Sequence, residues 1–135
     1  MNDASTDWQA VLQTAYLEEA ACYARAAQLA GELVAACGRG EPIGDQLRPI
    51  LDLLDEVALH ESRIAPTKAS WEQAGRPTGP ELRGMMDRIA ALIEQLGGQL
   101  KTIEQDARER RERLAVELDA CNRRRQMQRA YARES

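Results

Sequence analysis

The chain has 135 residues and a formal net charge of −4, a length that fits one domain. Ala and Leu supply most of its apolar residues, Phe is absent and β-branched residues are sparse, which favours helices over strands. The acidic balance argues against nucleic-acid affinity across the whole surface. We therefore predict an all-α protein whose residues 1–135 form a single helical domain.

Cysteine usage and the first residues bear on location. Cys22, Cys37 and Cys121 are odd in number and widely spaced, which fits neither a disulfide framework nor a zinc site. The start, "MNDASTDWQA", has neither a basic region nor an apolar stretch, so no signal peptide is visible. No uncharged run approaches the ~20 apolar residues of a membrane span. We expect a cytoplasmic protein without a membrane span.

The first helix is predicted over about residues 6–37. Ser5, Thr6 or Asp7 can cap its first turn, and apolar residues then recur at three- and four-residue steps from Trp8. The glycines and proline of "GRGEPIGD" end this helix and predict a chain reversal.

The second helix is predicted over about residues 45–73. Pro49 is tolerated in its first turns, where amides have no intrahelical partner. Pro66 removes a hydrogen bond and crowds the preceding carbonyl, so the helix is expected to end or kink there. Trp71 is expected to be a core or hinge anchor.

The third helix is predicted over about residues 79–131. Thr78 and Glu81 match the capping-box spacing at its start, and Gly97-Gly98 is a plausible bend. Apolar residues keep helical spacing from Leu82 to Cys121, with Arg110 or Arg111 filling one gap. At 1.5 Å per residue this helix would be roughly 75 Å long, against roughly 45 Å for the first. We expect an elongated antiparallel three-helix bundle with a long, projecting C-terminal helix.

The residue types that carry most enzyme chemistry are sparse. His60, the single histidine, matches neither HExxH nor a di-iron motif, and we expect it to pair with Glu56. Cys22 has no basic partner nearby in sequence and is expected to fill core space. The adjacent carboxylates Glu18-Glu19 and Asp55-Glu56 are interpreted as solvated faces. We therefore predict no enzyme activity, no metal site and no cofactor.

The last residues, "NRRRQMQRAYARES", give the acidic chain a basic end. Residues 1–100 carry 8 Lys/Arg against 15 Asp/Glu, whereas residues 101–135 carry 10 against 7. Three interpretations stay open: a nucleic-acid contact through arginine and Tyr131, a solvated helix end, or a protein-docking segment. The apolar residues just before this segment favour docking, because an uncovered apolar stripe usually marks a binding surface.

The whole layout resembles a known family. An N-terminal Trp in a long helix ("DWQAVLQTAYLEEAACYARAAQLAGEL"), a Gly-rich turn, a polar segment leading to a late Trp ("HESRIAPTKASWEQ") and a long helix ending in "LDACNRRRQMQRAYA" are similar to the FlgN/FliT type of flagellar export chaperone. This resemblance covers nearly the whole chain. It implies a small cytoplasmic chaperone that holds a hook-associated or filament-cap subunit before type III export.

The resemblance also implies where partners bind. The C-terminal helix would be the client-binding element, and its end would dock to the export apparatus. Carried onto this sequence, the apolar client stripe is Leu114, Leu118 and Cys121, with recognition by Arg123, Arg124, Met127 and Tyr131. The alternatives are a structural coiled-coil or stalk protein of a secretion apparatus, a homodimer, and, as the least favoured, a nucleic-acid-binding helical protein.

Overall fold

Three α-helices and one short 3₁₀ turn make up the described part of the chain. The computed structural model describes the backbone of residues 4–134 and the side chains of residues 8–133. The elements are α1 (Ala4–Gly38), a 3₁₀ turn (Gly44–Leu47), α2 (Arg48–Gln73) and α3 (Pro80–Glu134). No strand occurs within residues 4–134, so the predicted all-α class is confirmed.

The chain divides into two compact units, Met1–Leu100 and Lys101–Ser135. The core of the first unit brings together side chains from all three helices. Trp71 is buried in it, and its indole Nε1 donates a hydrogen bond to the Pro77 carbonyl at 3.0 Å, so Trp71 is a core residue as predicted. The other buried members of this cluster are Leu12, Ala15, Tyr16, Ile64 and Leu82, with Trp8, Met85, Met86 and Ile89 half-buried against it.

The alanine-rich sequence of α1 becomes a buried face of small side chains. Burying alanine costs no side-chain rotamer entropy, and its small volume lets neighbouring helices approach closely. The larger Leu12 and Tyr16 lie toward the start of this face, and Leu33 lies toward its end. The buried alanines of α1 are Ala15, Ala20, Ala26, Ala27, Ala30 and Ala36.

Glycine ends both α1 and α2 through the same local geometry. After α1, the Glu41 amide donates to the Ala36 carbonyl and the Gly40 amide to the Cys37 carbonyl, each at 3.0 Å. This Schellman pattern requires a left-handed residue, which Gly40 supplies with φ +76°. Gly75, with φ +89°, ends α2 in the same way.

The cap predicted for α3 was wrong, and of the end or kink expected at Pro66 the end does not occur. α2 does not end at Pro66 but continues to Gln73, and the Ser70 hydroxyl donates to the Pro66 carbonyl at 3.3 Å. Trp71, five residues after Pro66, is still helical and is buried. Thr78 is not the N-cap of α3, because its hydroxyl donates to the Arg76 carbonyl at 2.9 Å.

Proline explains the shift at the start of α3. Pro80 occupies the first helical position, which its fixed φ favours, so the preceding Gly79 takes the cap position. At the other end of the chain, the backbone is already helical at Ala4. The predicted caps Ser5, Thr6 and Asp7 therefore lie in the first turn of α1, and their side chains lie outside the described residues.

One carboxyl is buried between α1 and α2. Glu19 is only 3% exposed, so the expectation of a solvated face was wrong for this residue. Burial, and then a hydrogen bond and charge repulsion with Glu61, raise the pKa of Glu19 to about 7, while Lys68 opposes the rise. Lys68 lies 3.4 Å from the Glu61 carboxylate. A fold that holds Glu19 in this position favours its protonated form.

Replacing Trp71 tests the importance of the core cluster. Trp71→Ala should lower the free energy of unfolding by about 3–5 kcal/mol, because it leaves a cavity among all three helices. Trp71→Phe should cost less, since it retains an aromatic ring and loses the hydrogen bond, a loss of about 1 kcal/mol. Urea unfolding followed by circular dichroism measures both, and equal losses would contradict the cavity argument.

The buried carboxyl predicts how stability depends on pH. The pKa of Glu19 is higher in the folded chain than its ordinary 4.5, so between pH 4.5 and 7 the native state holds more protons than the unfolded state. Stability therefore falls as pH rises through this window. Glu19→Gln should remove roughly 2 kcal/mol of that fall, less than the full shift because neighbouring charges rearrange.

The matched control is Glu32→Gln, which makes the same change at an exposed position of α1. Urea unfolding at pH 5 and pH 8 gives the pH dependence for both variants and for the unaltered chain. The pH dependence of Glu32→Gln should match that of the unaltered chain. If Glu19→Gln keeps the full pH dependence, Glu19 is not the titrating group.

Candidate functional site

The second unit, Lys101–Ser135, contains the C-terminal part of α3. Ion pairs between side chains four residues apart support this helix. Each such pair contributes only about 0.3–0.5 kcal/mol. The pairs are Arg108–Glu104 at 3.3 Å, Arg110–Asp106 at 2.8 Å and Arg123–Asp119 at 3.2 Å.

Burial along this part of α3 stops abruptly. Ile103 is buried, and Asp106, Ala107 and Arg110 are half-buried. Every residue from 111 to 133 is exposed. Of the two arginines proposed to fill the gap in the apolar spacing, Arg110 is the half-buried one.

Three of the predicted site residues share one side of the helix. At about 100° per residue, Leu114, Leu118 and Cys121 fall within about 60° of one another. We call these three residues the Leu114 face. Leu114 is 55% exposed, Leu118 is 57% exposed and Cys121 is exposed. The buried Ile103 lies at the same angle, so the Leu114 face continues its stripe.

Met127 and Tyr131 lie on a different side of α3. The same angular count places them with Val116 and Ala120, about 140° from the Leu114 face. We call these four residues the Met127 face. Its three large side chains are all more than half exposed, and Val116, which sequence reasoning missed, is 70% exposed. The seven predicted site residues therefore occupy two surfaces of the helix. The i, i+4 spacing of Val116 and Ala120 was the sequence signal for the second surface.

Arginines surround both faces at the C-terminal end. Arg123 is paired with Asp119, whereas Arg124, Arg125 and Arg129 make no ion pair among the described side chains. By angle, Arg125 lies at the end of the Leu114 face, and Arg124 lies beside Tyr131 on the Met127 face. Unpaired arginines beside exposed apolar side chains can keep such a surface soluble and set the register of a partner.

His60 and Cys22, the residues considered for catalysis, both lie beside carboxylates. His60 does not pair with Glu56 as expected: its Nε2 lies 2.9 Å from the Glu18 carboxylate, and its Nδ1 lies 3.8 Å from that of Glu19. Burial and the adjacent Glu56 raise the pKa of the Cys22 thiol, which disfavours the nucleophilic thiolate. Within the described residues, no group of His, Cys, Asp and Glu is arranged to hold a metal ion.

Comparisons with known proteins do not assign this surface. No protein-family model, curated protein or solved structure matches the chain. A separate test concerns membranes: no described helix combines the length and the apolar character that crossing a bilayer requires.

Proposed function

We propose that this chain binds an amphipathic helix of a client protein through the Leu114 face and acts as a cytoplasmic, non-catalytic export chaperone. The observation that carries the proposal is the exposure of Leu114 and Leu118, 55% and 57%, on the side of α3 where Ile103 is buried. Because each leucine is only a little more than half exposed, burying it against a client would contribute roughly 1–1.5 kcal/mol, about half the value for full burial. A client helix would thereby complete an apolar stripe that the chain covers only in part.

The chemistry of the surface suits helix-with-helix recognition. Such binding uses apolar anchors three and four residues apart, which is the spacing of Leu114, Leu118 and Cys121. Charges at the rim then select the register and orientation of the partner. Arg125 at the end of the Leu114 face would favour a client whose helix carries an acidic residue at that point.

The proposal includes an antiparallel, up-down-up arrangement in which the C-terminal part of α3 projects from the bundle. Contacts between α1 and α2 support the direction of these two helices. Three contacts join the helices: Tyr16 with Lys68, Glu18 with His60, and Cys22 with Glu56. Residue numbers on α2 therefore decrease as residue numbers on α1 increase, as in an antiparallel pair. The full exposure of residues 111–133 supports the projection.

The identity of the client rests on the resemblance to the FlgN/FliT type of chaperone. That resemblance implies a hook-associated or filament-cap protein as the client, and the export apparatus as a second partner. The Met127 face offers a separate surface for such a second partner, because it lies about 140° from the Leu114 face. Two partners on two sides of one helix would not compete for the same side chains.

A homotypic coiled coil is the second candidate. Ile103, Ala107, Arg110, Leu114, Leu118 and Cys121 follow steps of four, three, four, four and three residues. This spacing averages close to 3.6 and suits nearly straight helix pairing. Two copies of the chain could therefore cover the Leu114 face without a client.

A charge placed on the Leu114 face should weaken client binding. Leu118→Asp puts a carboxylate at the centre of the proposed interface, and we expect the Kd for a hook-associated or filament-cap protein from the same genome to rise at least about tenfold. Val116→Asp is the matched control, since Val116 is also exposed but lies on the other side of α3. Isothermal titration calorimetry measures both variants, and circular dichroism checks their helix content.

The proposal fails if both variants bind as tightly as the unaltered chain, or if the unaltered chain binds no such protein. Sedimentation of the unaltered chain separates the two candidates. A monomer that binds the client supports the chaperone. A stable dimer that Leu118→Asp dissociates, and that binds no client, supports the homotypic coiled coil.

A further inference from the structure

A second feature lies within the first unit, between α1 and α2. Side chains from both helices line a cleft of about 320 Å³, near the lower end of the size range of small-molecule pockets. The part of the cleft contributed by α1 is acidic, and His60 faces it from α2. The lining residues are Glu18, Glu19, Cys22, Glu56, Val57, Leu59, His60 and Arg63.

Two polar atoms in this cleft face each other without a partner. Glu19 is 97% buried, and neither its Oε2 nor the Nδ1 of His60 has a hydrogen-bond partner within the described chain. These atoms are 3.8 Å apart, too far for a direct hydrogen bond. Buried polar atoms are rarely left unpaired in proteins, so this pair marks a position where a polar ligand group could bind.

The hydrogen bonding of His60 indicates the kind of group that could bind here. Its Nε2 lies 2.9 Å from the Glu18 carboxylate, which can only accept, so Nε2 carries the proton. In the neutral tautomer Nδ1 is then an acceptor, as is an ionised Glu19 oxygen. When Glu19 is ionised, above its pKa of about 7, the two acceptors face each other, and one donor group with at least two hydrogens can satisfy both.

The geometry fits a nitrogen cation. If a nitrogen lies about 2.8 Å from both acceptors, the angle between the two acceptors at that nitrogen is about 85°. Two N–H bonds of one ammonium or guanidinium group can therefore reach both. The charge of the cleft also favours a cation, since its lining residues include three carboxylates and one arginine. Glu18 and Glu56 remain available for further hydrogen bonds from the same cation.

We propose that this cleft binds an ammonium or guanidinium group, carried either by a free amine or by a lysine or arginine side chain of a partner protein. The cation donates to Glu19 Oε2 and His60 Nδ1, and Glu18 and Glu56 balance its charge. Binding takes the proton from Glu19 when that carboxyl is protonated, and releases it to solvent. The site is independent of the Leu114 face.

The single histidine makes the site directly observable by NMR. Agmatine, a free guanidinium amine, and acetyl-arginine amide, which represents a protein side chain, are titrated at pH 8 into the full chain labelled with ¹⁵N. The Nδ1 resonance of His60 should shift and saturate with agmatine. A response to both probes indicates that a partner side chain can enter, and a response to agmatine alone indicates a free amine.

Two controls test the role assigned to the N–H groups and to Glu19. Tetramethylammonium has the same charge but no N–H donor, so it should leave the His60 resonance unchanged. Glu19→Gln should weaken agmatine binding at least about tenfold, since it replaces the buried carboxylate with a neutral amide. Glu32→Gln, the exposed change on the same helix, should leave the affinity unaltered.

The proposal is overturned if neither agmatine nor acetyl-arginine amide shifts the His60 resonance at millimolar concentration. It is also overturned if tetramethylammonium produces the same shift, or if Glu19→Gln binds agmatine as tightly as the unaltered chain. Glu56→Gln provides a second variant should Glu19→Gln change the fold. It should weaken binding several-fold, while its circular dichroism spectrum stays that of the unaltered chain.

Discussion

α3 has 55 residues, whereas α1 has 35 and α2 has 26. The other features of the chain depend on this difference in helix length. At about 1.5 Å per residue, α3 is roughly 30 Å longer than α1. The core cluster that contains Leu12, Trp71 and Leu82 includes only residues before the end of the first unit. The apolar periodicity of α3 nevertheless continues to Cys121. A sequence that keeps an apolar stripe where its own core has ended is well suited to binding a partner.

Local features along single helices were predictable from the sequence. The three helices, the buried Trp71 and the shared side of Leu114 and Leu118 follow from a period of 3.6 residues and from the glycine-rich breaks. The separation of Met127 from that side follows from the same period of about 3.6 residues. The cap of α3 was misplaced by one residue because Pro80 competes with Thr78 for the start of the helix.

Contacts between helices were not predictable in the same way. Glu18 and Glu19 are adjacent and chemically identical, yet Glu18 is exposed while Glu19 is buried. Only the position of α2 decides which carboxyl is enclosed. His60 was expected to pair with Glu56 on its own helix, but contacts Glu18 on α1 instead. Both differences lie in one place, where the packing of two helices creates the acidic cleft. We propose that the chain has two recognition surfaces with different chemistry: the cleft would bind cations, and the Leu114 face would bind an apolar helix face.

We infer that the C-terminal part of α3 has an apolar face that the described residues leave uncovered. Hydrogen exchange of the full chain, measured by mass spectrometry at a concentration where sedimentation shows a monomer, tests this claim most directly. Backbone amides of buried core segments open only rarely, whereas a helix without tertiary contacts opens readily. If this claim holds, protection is strong around Leu82 and Leu96 and weak over residues 111–133. Uniformly strong protection along α3 in the monomer would contradict it.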